Sequence, residues 1–251
     1  MVQSMTEVSQ HGDVILLEFN NPGMLNALDV VMGEEIVEIL ESVNAETTPV
    51  VVMTGKGRAY CAGGDIKRMA RGEAGSDYMT RMNRLVKVIA NHDAVIISAV
   101  NGLAYGGGFG LVLASDLAFA ASDAKLAMVH GDIGLIPDMG AHFFLPRVTG
   151  MSYAKNLLWM GEPIDAQEAK RLGIVQQVCE PDELVSDTLD FAQRLSSRPR
   201  EVLRLSKRLL LNLSTMSLND VLEGEGQAQV SCFQTKDHQT RLSALLEKRR
   251  S

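Results

Sequence analysis

"AVNGLAYGGGFGLVLASDLAFAA" (99–121) places four glycines, Gly106, Gly107, Gly108 and Gly110, between two apolar runs. The run before them, "VIISAV" (95–100), ends at Asn101-Gly102 and predicts a buried strand. After them a helix starts, and "LAFAAS" (117–122) returns as a strand. Each glycine inside a helix costs roughly 0.5–1 kcal/mol, so so bare a backbone needs a reason. A strand, then glycines, then a helix aims N–H groups at negative charge. The stretch matches neither the GxxxxGK[ST] nor the GxGxxG nucleotide pattern. A phosphate cradle, an oxyanion hole and plain close helix–sheet packing all fit it.

Working outward, "VILLEFN" (14–20), "VVVMTG" (50–55) and "IVQQV" (174–178) read as further strands. Between them, 32–44 sets Ile36, Ile39, Leu40 and Val43 on one helical face, and 76–91 does the same with Met82, Leu85 and Ile89. Strand–helix–strand alternation predicts a mostly parallel sheet with right-handed crossovers. Past residue 180 only helical patterns remain, at 180–197, 199–214, 217–233 and 236–250. The first is predicted to begin at Pro181 with Asp182 and Glu183 in its opening turn. The chain thus divides into a core, 1–180, and a helical region, 181–251, whose apolar faces need a surface to cover.

The 251 residues carry a net charge of −7, which lacks the basic footprint of a nucleic-acid surface. No apolar run reaches the roughly 18–20 residues of a membrane span. The N-terminus shows no basic segment followed by an apolar one, so no secretory signal is expected. Cys61, Cys179 and Cys232 are scattered and suit a reducing cytoplasm. The five histidines have no HExxH-type spacing, and no metal is expected.

A second small-residue stretch, "GKGRAYCAGGDIKRM" (55–69), also follows a strand. Two strand ends with such turns can converge, and one N–H from each can grip one oxygen. At these residues the chain resembles the crotonase (enoyl-CoA hydratase/isomerase) superfamily. "GRAYCAGGDIKRM" is similar to its GxxFxAGxDI run, and 99–121 to its NGxAxGGG run. "GDIGLIPDMGAHFFLPRVTG" (131–150), "AQEAKRLGIVQQV" (166–178) and "LNAL" (25–28) fit in order, covering about residues 5–250.

The resemblance implies an α/β fold, a crotonase-like spiral of ββα units with a helical C-terminal trimerisation region. It implies an acyl-coenzyme A substrate, with coenzyme A arriving as part of it, and a homotrimer or a dimer of trimers. A cytoplasmic enzyme of fatty-acid metabolism is expected, with no tightly bound cofactor. By motif position the oxyanion donors are the N–H groups of Ala62 and Gly107, and losing one such donor typically costs ~10²–10³ in rate. Coenzyme A contacts fall at Leu25, Ala27, Gly63, Asp65 and Ile66, while Met69 and Tyr105 shape the acyl pocket. Gly23 stands where the family usually has a lysine, and "EKRRS" ends without the family's following aromatic. Lys67, Arg68 and Lys248–Arg250 are the remaining candidates for the phosphates; the last run equally reads as a solvated helix end.

Hydratases of this family use two glutamates. Their places here hold Gly110 and, seven residues before Pro137, His130. Asp138 in "IPDMG" stands where some isomerases and aryl-CoA dehalogenases of the superfamily carry an aspartate. One carboxylate suffices to move a proton along an acyl chain, and burial there would raise it above about 3.9, toward a useful base. Asp after Pro is also good turn chemistry. His130 is read as a pocket wall more than an acid–base group, His142 as a helix-surface residue, and Cys61 as unactivated. The leading expectation is an acyl-CoA double-bond isomerase using Asp138. Alternatives are a hydratase using His130 with Asp138, a nucleophilic Asp138, and a non-catalytic acyl-CoA-binding relative.

Overall fold

The computed structural model describes residues 4–73 and 75–248. Its strands are β1 (Thr6–His11), β2 (Val14–Phe19), β3 (Val50–Gly55), β4 (Ala59–Cys61), β5 (Val95–Val100), β6 (Leu103–Tyr105), β7 (Leu117–Ala121), β8 (Lys125–Ala127), β9 (Ile164–Asp165) and β10 (Gln177–Cys179). Its helices are α1 (Val30–Ser42), α2 (Ile66–Ala70), α3 (Ser76–Asn91), α4 (Gly107–Ala114), α5 (Ala141–Met160), α6 (Ala166–Arg171), α7 (Leu184–Ser196), α8 (Arg200–Asn212), α9 (Leu218–Phe233) and α10 (Lys236–Lys248). Helix α5 is broken at Gly150, where the backbone leaves helical geometry.

Six strands form one sheet in the order β1-β2-β3-β5-β7-β10, and four form a second in the order β4-β6-β8-β9. In the first sheet only the β1–β2 pair is antiparallel; β2, β3, β5, β7 and β10 run parallel. The chain lays one strand in the large sheet, one in the small sheet, then a helix, three times over: β3–β4–α2/α3, β5–β6–α4 and β7–β8–α5. This is the expected winding of ββα units.

Strands β3 and β5 are buried along their whole length, as continuous apolar runs require. Helix α3 occupies the predicted 76–91 and buries Met82, Leu85 and Ile89. Helix α1 starts at Val30, two residues earlier than expected, because Asp29 caps it by accepting from the Met32 N–H at 2.8 Å. The strand expected at 174–178 is displaced to β10, and the helix expected from Pro181 begins only at Leu184. Strands β1, β4, β6 and β8 have no counterpart in the sequence reading.

Helix α7 belongs with the core: Leu184 and Ala192 are buried, Phe191 stacks on Phe119 of β7, and Gln193 hydrogen-bonds the His11 carbonyl. The rest of the expected helical region, α8 to α10, carries no buried residue. Lys207 ties α8 to the sheet through Asp116, at 2.7 Å, and Asp116 also accepts from the Ile96 N–H at 2.7 Å. Among the described residues no helix is long and apolar enough to cross a membrane.

Candidate active site

Two side chains that never reach the cavity bring its turns together. Asn101 accepts from the Gly55 N–H at 3.0 Å and donates to the Gly57 carbonyl at 2.9 Å, linking the β3–β4 and β5–β6 connections. Asn26, fully buried, donates to the carbonyls of Ala59 (2.8 Å) and Lys56 (3.0 Å). The loop of "LNAL" is thereby pinned beside β4, with Leu25 and Asn26 both in left-handed backbone.

The turn after β4 and the turn after β6 then meet. A Cβ at Gly63 would stand 2.8 Å from the Tyr105 carbonyl oxygen and 3.3 Å from the Gly107 nitrogen. Gly106 has φ +51° and ψ −118°, a conformation essentially reserved for glycine. Its N–H donates to the Ala127 carbonyl at 2.8 Å. Gly107 opens α4, so its N–H has no partner inside the helix and sits at the positive end of the helix dipole. Gly108 serves packing: a Cβ there would lie 2.0 Å from the Cys61 carbonyl oxygen.

The first turn corrects one expected donor. The Ala62 N–H already donates to the Leu25 carbonyl at 3.0 Å. Among the described residues none accepts from the N–H of Gly64, the next turn residue before Asp65. Gly64 and Gly107 are therefore the pair with N–H groups to offer. The Gly63 carbonyl is held by the Leu28 N–H at 2.7 Å, which fixes the turn.

Both turns open onto a cavity of about 510 Å³. Of the expected site residues, Ala62, Gly63, Ile66, Met69, Gly107, His130 and Asp138 line it. Leu25, Ala27 and Tyr105 do not. Leu25 contributes the carbonyl that occupies Ala62, and Tyr105 presents its carbonyl to Gly63. Asp65 is the cap of α2, accepting from the Lys67 N–H at 2.9 Å and the Arg68 N–H at 3.3 Å. Lys67 is exposed, Arg68 pairs with Glu73 at 3.5 Å, and Arg249 and Arg250 lie outside the described residues. Two larger clefts of about 690 Å³, one among the C-terminal helices and one at the ends of α1 and α3 beside α8, contain none of these residues.

Sequence reasoning paired His130 with Asp138 in the hydratase alternative but did not foresee their direct contact. His130 Nε2 lies 3.1 Å from Asp138 Oδ1. Their side chains are 11% and 27% exposed, so the pair faces the cavity without being sealed off. His130 Nδ1 is buried with no hydrogen-bond partner among the described residues. The imidazole stands against the oxyanion turn, its Cε1 3.5 Å from where a Gly106 Cβ would be. A short 3-10 segment, Val129–Ile133, followed by an irregular stretch at 135–138 returns the chain to bring the two residues together.

Leu28, Tyr78, Met79, Asp132 and Met139 are among the further lining residues and were not foreseen. Burial pushes the Tyr78 phenol up to about 12, helped by the charge of Asp138, so it stays protonated at neutral pH. Its hydroxyl donates to the Leu28 carbonyl at 3.4 Å. Burial likewise pushes the Cys61 thiol up to about 12, which rules it out as a ready nucleophile.

A family model described as enoyl-CoA hydratase/isomerase matches residues 9–251. The chain is 32% identical to a 1,2-epoxyphenylacetyl-CoA isomerase of Escherichia coli, over 94% of this chain and 93% of that protein. It is 29% identical to a short-chain-enoyl-CoA hydratase of Clostridium acetobutylicum, over 97% and 95% of the two chains. A solved enoyl-CoA hydratase from Polaromonas sp. superposes with a TM-score of 0.93 at 30% identity, covering 97% of both chains.

Proposed function

The chain belongs to the enoyl-CoA hydratase/isomerase family and has the crotonase fold, and on that premise we propose that it isomerises the double bond of an acyl-CoA. The observation that carries this reading is the arrangement of the site: of the two carboxylates that line the cavity, Asp132 is exposed and Asp138 is held by His130, beside two N–H donors from converging glycine turns. With the thioester oxygen at Gly64 and Gly107, the Asp138 carboxylate takes a proton from the carbon next to the thioester of a 3-enoyl-CoA. The electron pair moves through the double bond system onto the oxygen, giving a dienolate. Asp138 returns the proton two carbons further along, and the 2-enoyl-CoA leaves. Atoms and charge balance with no added water.

The donors stabilise charge that exists only between the two proton transfers, which is the condition for accelerating the step. His130 acts through Asp138: an N–H at Nε2 directed to Oδ1 fixes the carboxylate and leaves the other oxygen for the substrate. Met69, Met79, Leu28 and Tyr78 give the acyl chain an apolar lining. The same His130–Asp138 contact supports a second reading, hydration by that pair. Exposed apolar side chains on α8 to α10, among them Leu210, Leu218, Leu222 and Phe233, support a homotrimer or dimer of trimers, to be checked by light scattering.

The test is incubation of 3-enoyl- and 2-enoyl-CoA panels in deuterated water, read by mass spectrometry, with the protein and its Asp138→Ala variant. Isomer shift and deuterium uptake without net water addition are expected, falling by about 10²–10⁴ in the variant. Full exchange by Asp138→Ala removes the aspartate from the mechanism. Rapid 3-hydroxyacyl-CoA formation by the unaltered protein favours the hydratase reading instead.

A further inference from the structure

The bare position Gly110 is not an empty one. A Cβ there would lie 2.2 Å from the Cβ of Met139 and 3.0 Å from its Cγ. The same Cγ stands 3.7 Å from where a Gly107 Cβ would be. Met139 therefore fills the glycine face of α4 with its own side chain. It does so from left-handed backbone, φ +51°, which is disfavoured for a long side chain by roughly 1–2 kcal/mol. It is 2% exposed and lines the cavity directly after Asp138. A thioether is at most a weak acceptor, so this wall offers nothing to hold or activate a water.

We propose that Met139 determines the reaction outcome: its side chain seals the α4 wall of the acyl site and keeps water from the chain carbons, so that protons are moved and water is not added. This rests on the isomerase reading above. Addition to a 2-enoyl-CoA requires a water within reach of the carbon that receives it and a group to take its proton. Asp138, held by His130 through one oxygen, uses its other oxygen for the acyl-chain proton, and residue 110 has no side chain to contribute. Met139 and Gly110 form a matched pair, since the contact distances leave no room for a side chain at 110 while Met139 is in place. Truncating Met139 removes Cγ, Sδ and Cε, and in glycine Cβ as well, and opens room for a water, whose share of liquid volume is about 30 Å³.

The experiment compares the full-length protein with Met139→Gly, Met139→Leu, Gly110→Glu and the Gly110→Glu/Met139→Gly double variant. Glycine suits the left-handed backbone, so this truncation also relieves strain; Met139→Ala is the second truncation should it melt early. Two rates are read for each: deuterium exchange into acyl-CoA, and ¹⁸O incorporation from labelled water into 3-hydroxyacyl-CoA. Met139→Gly is expected to raise the ratio of hydration to exchange by about tenfold or more, with Met139→Leu within about twofold of the original. Gly110→Glu alone is expected to hydrate no faster than the unaltered protein, and the double variant to hydrate faster than both singles together. An unchanged ratio in folded, exchanging truncations overturns the proposal. So does hydration by Gly110→Glu equal to that of the double variant. Failure of the isomerase reading shows separately, as exchange that is absent or survives loss of Asp138.

Discussion

The turn at 105–110 runs into α4, all of whose residues are buried, whereas the turn at 61–65 runs into α2, none of whose residues is. Each turn offers one N–H to the same cavity, Gly107 from the turn at 105–110 and Gly64 from the turn at 61–65. The Gly107 donor is fixed by packing, because α4 lies against β4, β5 and Met139. The Gly64 donor is fixed by hydrogen bonds: Leu25 holds Ala62, Leu28 holds Gly63 and Asp65 caps α2. A donor built by packing fails together with the fold. A donor built by local hydrogen bonds can be altered while the fold survives, and the change then appears in substrate kinetics.

The largest effect follows from Gly108. Its Cβ position meets a main-chain oxygen, that of Cys61, at 2.0 Å, and backbone inside a sheet cannot yield. Gly108→Ala is expected to lose more than about 4 kcal/mol in urea unfolding, a size reserved for a severe core conflict. A variant that unfolds within about 1 kcal/mol of the original breaks the claim that packing alone sets this turn.

Cys61 stands between the two turns and gives the next effect. Burial raises its thiol from 9.0 to about 12. A folded-state pKa above the unfolded one means the folded state holds the proton longer. That stability is present below pH 9 and is lost as pH climbs toward 12, on the order of 4 kcal/mol across the window. Stability measured from pH 8 to 12 is expected to fall along this limb. Cys61→Ala, which keeps the Cβ beside α4, is expected to remove only its own share of this limb. Tyr60, Tyr78 and Cys179, all raised by burial, leave the remaining slope.

The difference between the turns also explains what the sequence showed and what it hid. Strands β3 and β5 are legible because burial on both faces demands unbroken apolar runs such as "VVVMTG". Strand β1, "TEVSQH", is an edge strand with four exposed residues, so it has no such pattern. Strands β4, β6 and β8 are three residues each and vanish inside the motifs that follow them. Gly107 was legible from the resemblance of its motif, and the start of α4 leaves its N–H without a partner inside the helix. Gly64 was not, because the choice between Ala62 and Gly64 is made by the Leu25 carbonyl, 37 residues upstream of Ala62 in sequence space only by way of the folded "LNAL" loop. The His130–Asp138 contact needed the path of a 3-10 turn that spacing does not encode. Met139 was missed because a methionine in left-handed backbone has no sequence mark.

At the Asp65 turn the expected effects are small and kinetic. Asp65→Ala removes the cap of a five-residue exposed helix, worth about 1 kcal/mol. Because α2 carries Ile66 and Met69 at the cavity, this is expected to raise KM for acyl-CoA by about fivefold with kcat unchanged. Asp65→Asn, an equally good cap, is expected to restore KM. If it does not, the carboxylate charge itself is what the substrate feels.

The smallest effect sharpens the comparison most. Gly75 caps α3 and lines the same cavity as Gly107, but it has extended backbone and no side-chain cap bond. A Cβ there meets nothing within 4 Å, in contrast to the 2.0 Å conflict at Gly108. Gly75→Ser therefore adds a hydroxyl that can accept from the opening N–H groups of α3, and it reduces the freedom of the unfolded chain. A gain of a few tenths of a kcal/mol is expected in the urea midpoint. Gly75, at the cavity, and Gly108, behind it, then respond to a side chain with opposite signs, because one borders open space and the other borders a carbonyl of the sheet. A loss of more than about 1 kcal/mol at Gly75 would mean that the entry to α3, too, is held by packing.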